Sequence, residues 1–318
     1  DVYNTGNVTA DKAGGVIGET TIESASSDKP SLKRAVNYGS VNGTTQSYGI
    51  AGKPSKGNCN AEQVYYLDNT LGSAPYEEEL GNAVSTETLA KGEIAFLLDN
   101  GESKNRRGVW GQDIANSRPE FYSAISAPLV YKLTTTVTNG SLTLDDTLSS
   151  LKIWSNASAG STTTFYFTAM FDTPQPIIKW QTAGMEEDYV LNTFRIYDQA
   201  QTELAAVIDE ENNNITVTVP FASNLDATAE FIKVPNLGST MKLILHGNGG
   251  TIGEEEQTEI EAIVGNRFHT ITELNTDAGF KNGKYEFTGW YLDADCTKAV
   301  DMSSRMVPED KEPLQIDV

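Results

Sequence analysis

The chain has 318 residues, with 23 basic and 44 acidic side chains giving a formal charge of 23 − 44 = −21. So acidic a balance opposes nucleic-acid backbones and anionic membrane faces; with no apolar run of spanning length, it excludes nucleic-acid binding and membrane insertion within this segment. Cys59 and Cys296 are the only cysteines and lie far apart, which supports neither a disulfide framework nor a thiolate metal site. The length suits two or three domains, and abundant Thr, Ser, Asn and Gly with strand-like alternation indicates a mainly β protein.

The first element is a repeat. Asn4-Thr5-Gly6-Asn7-Val8, followed by Gly14-Gly15-Val16-Ile17-Gly18, returns as Asn37-Tyr38-Gly39-Ser40-Val41, followed by Tyr48-Gly49-Ile50-Ala51-Gly52. A spacing of about 33 residues is typical of stacked supersecondary units, each needing a neighbour to bury its apolar face. Val8, Val16 and Ile17, then Val41 and Ile50, supply the inward layer, and the glycines take corners where a Cβ clashes. The second unit departs from the first at Tyr48 and Ala51 and is expected to be a terminal, capping unit. Because a stack needs about three units to stand alone, two units in a chain starting at Asp1 are expected to be an excerpt of a longer protein. The motif N-x-G-x-V with a later G-G-x-x-G resembles the GLUG repeat of bacterial surface proteins, and the resemblance implies the end of a parallel β-solenoid.

Val64-Tyr65-Tyr66-Leu67 reads as a strand, and the run Glu77-Glu78-Glu79 as a solvated face. Ser85, with Glu87 in the first turn, starts a helix through Thr88 to Leu98 that ends near Asn100-Gly101, with Leu89, Ile94, Leu97 and Leu98 close to one face. The stretch from Gly92 to Gly101, followed by Val109-Trp110-Gly111-Gln112-Asp113 and Pro119, is similar to the segment that often follows GLUG repeats. That similarity implies a short helix and a tryptophan-bearing strand closing the solenoid, within a first domain of residues 1–128. Trp110 is expected in the core; its rival role is a stacking platform for a sugar or flat ligand.

Residues 129–236 carry short strands separated by turn signals at Asn139-Gly140, Asp145-Asp146, Ala159-Gly160, Pro174 to Pro176 and Asn212-Asn213-Asn214. Leu133 to Val137, Phe165 to Phe171 (a central strand) and the alternating Asn214 to Val219 fit an antiparallel sandwich. Asn214 to Phe221, then Asn224 to Phe231, resembles half of a bacterial immunoglobulin-like surface domain, without that family's closing strands after Val234.

In residues 237–318, Met241 to His246 forms a strand ending in the turn Gly247-Asn248-Gly249-Gly250, and Tyr285-Glu286-Phe287-Thr288-Gly289-Trp290-Tyr291-Leu292-Asp293-Ala294-Asp295-Cys296 follows. Strand, N-G-G turn and F-x-G-W-Y-x-D-x-x-C together resemble the Listeria-Bacteroides repeat, the internalin B-repeat type, which implies a small β-grasp-like module. Its usual aromatic-rich last strand is replaced by Leu314-Gln315-Ile316-Asp317-Val318. Trp290 is expected to fill the small core, with Phe287 and Tyr291 either side of Gly289, where the strand bends.

Chemistry has few candidates. His246 and His269 lack metal-ligand spacing and are expected at exposed or strand-edge positions. Glu186-Glu187-Asp188, Asp209-Glu210-Glu211 and Glu254-Glu255-Glu256 are contiguous, so their carboxylates splay apart rather than flank a glycosidic bond, and they read as solvated loops. Asp293 and Asp295 lack the rest of a calcium loop. The expected fold class is mainly β, and the resemblances imply the end of a parallel β-solenoid, an immunoglobulin-like sandwich and a β-grasp-like module in series. The resemblances imply a non-enzymatic stalk or adhesin-like scaffold on a bacterial cell surface, and no catalytic residue, metal or cofactor is expected. Host glycans or extracellular proteins are the partners such a protein implies, and the ligand-binding residues and oligomeric state stay open. The rival is an accessory or carbohydrate-binding region of a secreted surface hydrolase, which requires an exposed row of aromatics around Trp110, Trp154 or Trp180.

Overall fold

The structure, a computed structural model, describes residues 1–18, 30–51, 59–72, 79–103, 106–145, 152–154, 158–159, 161–168, 177–219, 223–284, 286–307 and 314–317. Glu77, Glu78, the Pro174 to Pro176 turn, residues 169–171 of the central strand, Gly52, Asp146, Gly160, Pro220, Phe221, Tyr285 and Val318 lie outside the described residues. The fold is mainly β, with several sheets and little helix. It divides into two compact units, one of Asp1–Thr136, Leu144–Trp180 and Arg195–Ala227, the other of Val137–Thr143, Gln181–Phe194 and Thr228–Val318.

The first unit begins with strands β1 (Val2–Asn4), β2 (Val8–Gly14), β3 (Ser31–Asn37), β4 (Val41–Tyr48), β5 (Asn60–Leu67) and β6 (Asn82–Val84). β1, β3, β5 and β6 pair in parallel in that order, and β2 pairs in parallel with β4. Asn4 sits opposite Asn37 and Val8 opposite Val41, so the sequence period of 37 − 4 = 33 is also the backbone register. Strand alternation then sends Ala35 and Val64 to a core with Ile50, Ala51 and Tyr66, and Val36 and Tyr65 to the opposite core with Leu89, Ile94, Leu98 and Trp110. The second repeat is not the last layer, contrary to expectation, because β5 stacks on β3 with Tyr66 opposite Asn37. This third layer carries neither the asparagine nor the glycine, so the repeat motif does not mark it.

Asn37 is fully buried and joins the layers. Its Oδ1 accepts from Asn4 Nδ2 at 2.8 Å and from the Gly39 amide at 3.1 Å, and its Nδ2 donates to Gly39 O at 3.0 Å. Asn4 repeats this closure on Gly6, whose amide donates to Asn4 Oδ1 at 2.9 Å while Asn4 Nδ2 reaches Gly6 O at 2.8 Å. The stacked corners leave no room for a side chain at residue 39: a Cβ there lies 1.9 Å from Gly6 O.

Glu79 ends one run of these interlayer bonds. Gly15 and Val16 of the first layer donate to Tyr48 O and Ile50 O of the second, at 3.2 and 2.8 Å. The matching amides of the second layer, Gly49 and Ile50, donate instead to the Glu79 carboxylate at 2.6 and 3.2 Å, and Leu80 N adds a bond of 3.1 Å. A side chain thus replaces the backbone acceptor of a further layer, and the reading of Glu79 as part of a solvated face is corrected. Burial pushes its carboxyl above the usual range despite these amide donors.

The expected single helix is two short ones, α1 (Thr86–Leu89) and α2 (Glu93–Leu98). Ser85 caps the first, accepting from Thr88 N at 3.1 Å. Gly92, at φ 77°, breaks the helical path. The expected end holds: Asn100, at φ 63°, donates to Leu97 O at 3.0 Å and Gly101 to Phe96 O at 2.8 Å, closing the last turn. Asp99 then sets the following segment, β7 (Trp110–Gly111), which pairs with β8 (Glu120–Phe121). Buried Asp99 Oδ1 accepts from Val109 N at 2.7 Å and Trp110 N at 3.1 Å, while Arg106 Nη2 lies 3.2 Å from Oδ2 and its guanidinium sits 4.5 Å from the Tyr131 ring centre.

The remaining strands make two larger sheets. β9 (Val130–Thr138), β10 (Gly140–Leu144), β11 (Lys152–Trp154), β12 (Ser158–Ala159) and β13 (Thr162–Thr168) are followed by β14 (Ile177–Gly184), β15 (Tyr189–Asp198), β16 (Ala206–Asp209), β17 (Asn214–Thr218) and β18 (Leu225–Lys233). One sheet runs β10-β14-β17-β16; the other runs β11-β13-β9-β18-β15, with β12 on β13. The β9–β13 and β16–β17 pairs are antiparallel, and the turns read at Asn139 and Asn212 to Asn214 are present, with Asn139 and Asn213 at φ 57° and 52°.

In the second unit β19 (Thr240–His246) lies between antiparallel β21 (Gln257–Ile263) and parallel β23 (Leu314–Asp317), while β20 (Thr251–Ile252) pairs with β22 (Phe280–Lys281). Alternate β19 residues Met241, Leu243 and Leu245 meet Phe268, Leu274, Trp290 and Met306 in one core. Trp290 fills it as expected, donating from Nε1 to Thr276 O at 3.0 Å, but residues 286–290 are irregular chain, not a strand. Arg305 Nε bonds Leu191 O at 3.0 Å and Arg267 Nη2 bonds Asn192 O at 3.0 Å, tying the 181–194 segment to this core.

Two outcomes follow for the first unit. Asn37→Ala leaves the Gly39 amide and carbonyl buried without partners and lowers unfolding free energy by about 2–3 kcal/mol, against about 1 kcal/mol or less for the more exposed Asn4→Ala, as chemical denaturation measures. Since the folded-state carboxyl of Glu79 sits above its unfolded value, its contribution is greatest in acid and is lost as pH rises through the folded pKa. The stability of the parent relative to Glu79→Gln therefore falls as pH rises from about 4 to 7, which melting curves across that range detect.

Candidate functional site

The aromatic platform expected of a carbohydrate-binding region is absent at the three named rings. Trp110 and Trp180 are 0% exposed and Trp154 is 7% exposed. Trp110 also commits its indole N–H to Asp1 Oδ1 at 2.9 Å and packs 5.0 Å from the Phe121 ring centre. Each ring is buried rather than presented to solvent.

Asp188 pairs with Lys233 at 3.0 Å, Asp209 accepts from Asn212 N at 3.1 Å, and Glu254 to Glu256 are exposed in the turn before β21. Asp293 uses both carboxylate oxygens inside its own loop: Oδ1 accepts from Thr297 N at 2.9 Å and Lys298 N at 2.8 Å, and Oδ2 accepts from Thr297 Oγ1. These bonds hold its carboxyl below the usual range, the Thr297 hydroxyl foremost. Among the described residues no three His, Cys, Asp or Glu side chains gather as a metal site requires, and no helix is long and apolar enough to cross a membrane. Cys59 is buried. His269 is exposed, its Nδ1 3.1 Å from Met302 O; His246 is half-buried on β19.

His246 belongs to a cleft of about 610 Å³ in the second unit, lined also by Gly249, Glu256, Gln257, Lys281 and Asn282. The sequence builds it from a tight turn. Asn248 and Gly249 have φ of 37° and 89°, and Gly250 N closes on Gly247 O at 2.7 Å, reversing the chain between β19 and β20. Two carboxamides brace this turn: Asn248 Nδ2 donates to Ala294 O at 3.1 Å, and Asn282 Nδ2 donates to Gly249 O at 3.1 Å. One wall is the β19–β21 ladder, where His246 faces Gln257; the other is the β20–β22 ribbon, where Thr251 faces Lys281. Glu256 O receives the Gly247 amide at 2.9 Å, which holds this exposed glutamate among the residues lining the cleft. The N-G turn was legible in the sequence. Lys281 and Asn282, some thirty residues later, carried no signal of their own, because only the β20–β22 pairing brings them there.

Comparison with protein families, with curated proteins and with solved structures found no match to this chain.

All four tryptophans are buried, Trp290 included at 5% exposed. Native fluorescence is therefore blue-shifted from that of the unfolded chain and weakly quenched by iodide, and added mono- or disaccharides leave it unchanged; strong quenching contradicts this packing.

Proposed function

We propose that the chain is a non-enzymatic modular segment of a bacterial cell-surface protein, working as a stalk or adhesin-like scaffold. In this reading residues 1–128 are the GLUG-type end of a β-solenoid, 129–236 an immunoglobulin-like sandwich and 237–318 a B-repeat-type, β-grasp-like module, with host glycans or extracellular proteins as partners. The observation that carries it is the parallel stack with its repeat-matched register and buried Asn37, a construction that extends by adding layers. The charge of −21 suits a protein that stays dispersed in an external medium.

Pulling the chain by its ends tests this reading. Modules in series give separate unfolding events, and the 129–236 module releases roughly 350–400 Å of chain at about 3.3–3.6 Å per residue. A single event for the whole chain, or turnover of peptide or glycoside substrates by the purified protein, contradicts it.

A further inference from the structure

The cleft beneath the Gly247 to Gly250 turn keeps opposite charges on opposite walls without pairing them. Glu256 and Gln257 stand on the β19–β21 side and Lys281 on the β20–β22 side, with His246 at the end of β19. None of these four side chains bonds to another described residue, and the shielded His246 Nε2 has no hydrogen-bond partner among them. Elsewhere in this unit, opposite charges within reach do pair, Lys242 with Glu259 at 2.6 Å and Lys233 with Asp188 at 3.0 Å. The frame that holds Lys281 and Glu256 apart is fixed by the Asn248 and Asn282 carboxamides rather than by the charged side chains themselves.

We propose that this cleft binds a small zwitterion, a short peptide with free ends, its carboxylate on the Lys281 ammonium and its ammonium on the Glu256 carboxylate. Gln257 offers both a donor and an acceptor to the peptide unit between them. A purely anionic ligand meets Glu256 and a chain of net charge −21, and a purely cationic one meets Lys281, whereas a zwitterion satisfies both walls. An uncharged ligand covers two ionic groups without pairing either. A sugar ring also lacks a stacking surface among the described residues, none of whose Phe, Tyr or Trp side chains lines the cleft. At about 610 Å³ the space is in the range of small-ligand sites.

The test is a titration of the whole chain with glycine, diglycine and triglycine at low salt, followed by the amide resonances of Gly249, Gly250 and Thr251. The charge separation grows by about 3.3–3.6 Å per residue, so one length binds best. Lys281→Met and Glu256→Gln, both at exposed positions that leave the core intact, each weaken that peptide at least tenfold, and so does acetylating its amine or amidating its carboxylate. The proposal is overturned if no resonance shifts at millimolar peptide, if the blocked peptides bind as well as the free one, if either variant binds unchanged, or if a neutral monosaccharide shifts the same amides at lower concentration.

Discussion

One buried carboxamide, that of Asn37, sets the register on which the first unit depends. A parallel ladder alone tolerates slippage, because every residue offers the same backbone donor and acceptor. Asn37 removes that freedom: it meets Asn4 at one offset only, and it closes on Gly39, whose Cα is pressed against Gly6 O. A slip by one residue turns the buried Ala35 and Val64 toward the other face and leaves the carboxamide without its partners. Register, apolar layering and polar satisfaction therefore stand or fall together.

Carboxylates finish what the carboxamide begins. Glu79 takes the amides that a further layer's carbonyls would take, and Asp99 takes the amides of Val109 and Trp110 where the chain leaves the helices. Both place an acidic side chain against backbone N–H groups in a shielded setting, where leaving those donors unpaired costs more than shielding the acid once it is hydrogen-bonded. Arg106, stacked on Tyr131, balances the Asp99 charge. Among the described acids, Glu79 and Asp99 thus satisfy backbone amides, while Glu254 to Glu256 stay exposed.

Much of the fold was legible because local chemistry and tertiary role agree. The N-x-G-x-V motif, the Ser85 cap, the Asn139 and Asn213 turns and the apolar alternation of β19 each do in three dimensions what they indicate in sequence. The rest depended on pairing. β5 follows the stack by its register with β3, although Tyr66 replaces the asparagine, so no motif marked it. Glu79 looked like part of an acidic run because its burial comes from Gly49 and Ile50, about thirty residues earlier. Gly92 falls inside the span of the expected helix and instead takes a positive φ beneath Trp154. In the cleft the Asn248-Gly249 turn was visible, while Lys281 arrives through the β20–β22 ribbon, which two residues a side form and which no periodicity marks.

Residue-resolved amide hydrogen exchange tests the central claim most directly. The amides of Tyr38, Val8 and Val16, which donate to Asn4 O, Ser40 O and Ile50 O across the layers, belong to one cooperative unit in this account. They are expected to be strongly protected and to open with a common free energy. Exchange of these three at unfolded-chain rates, while Val64 to Tyr66 stay protected, contradicts a stack registered by Asn37.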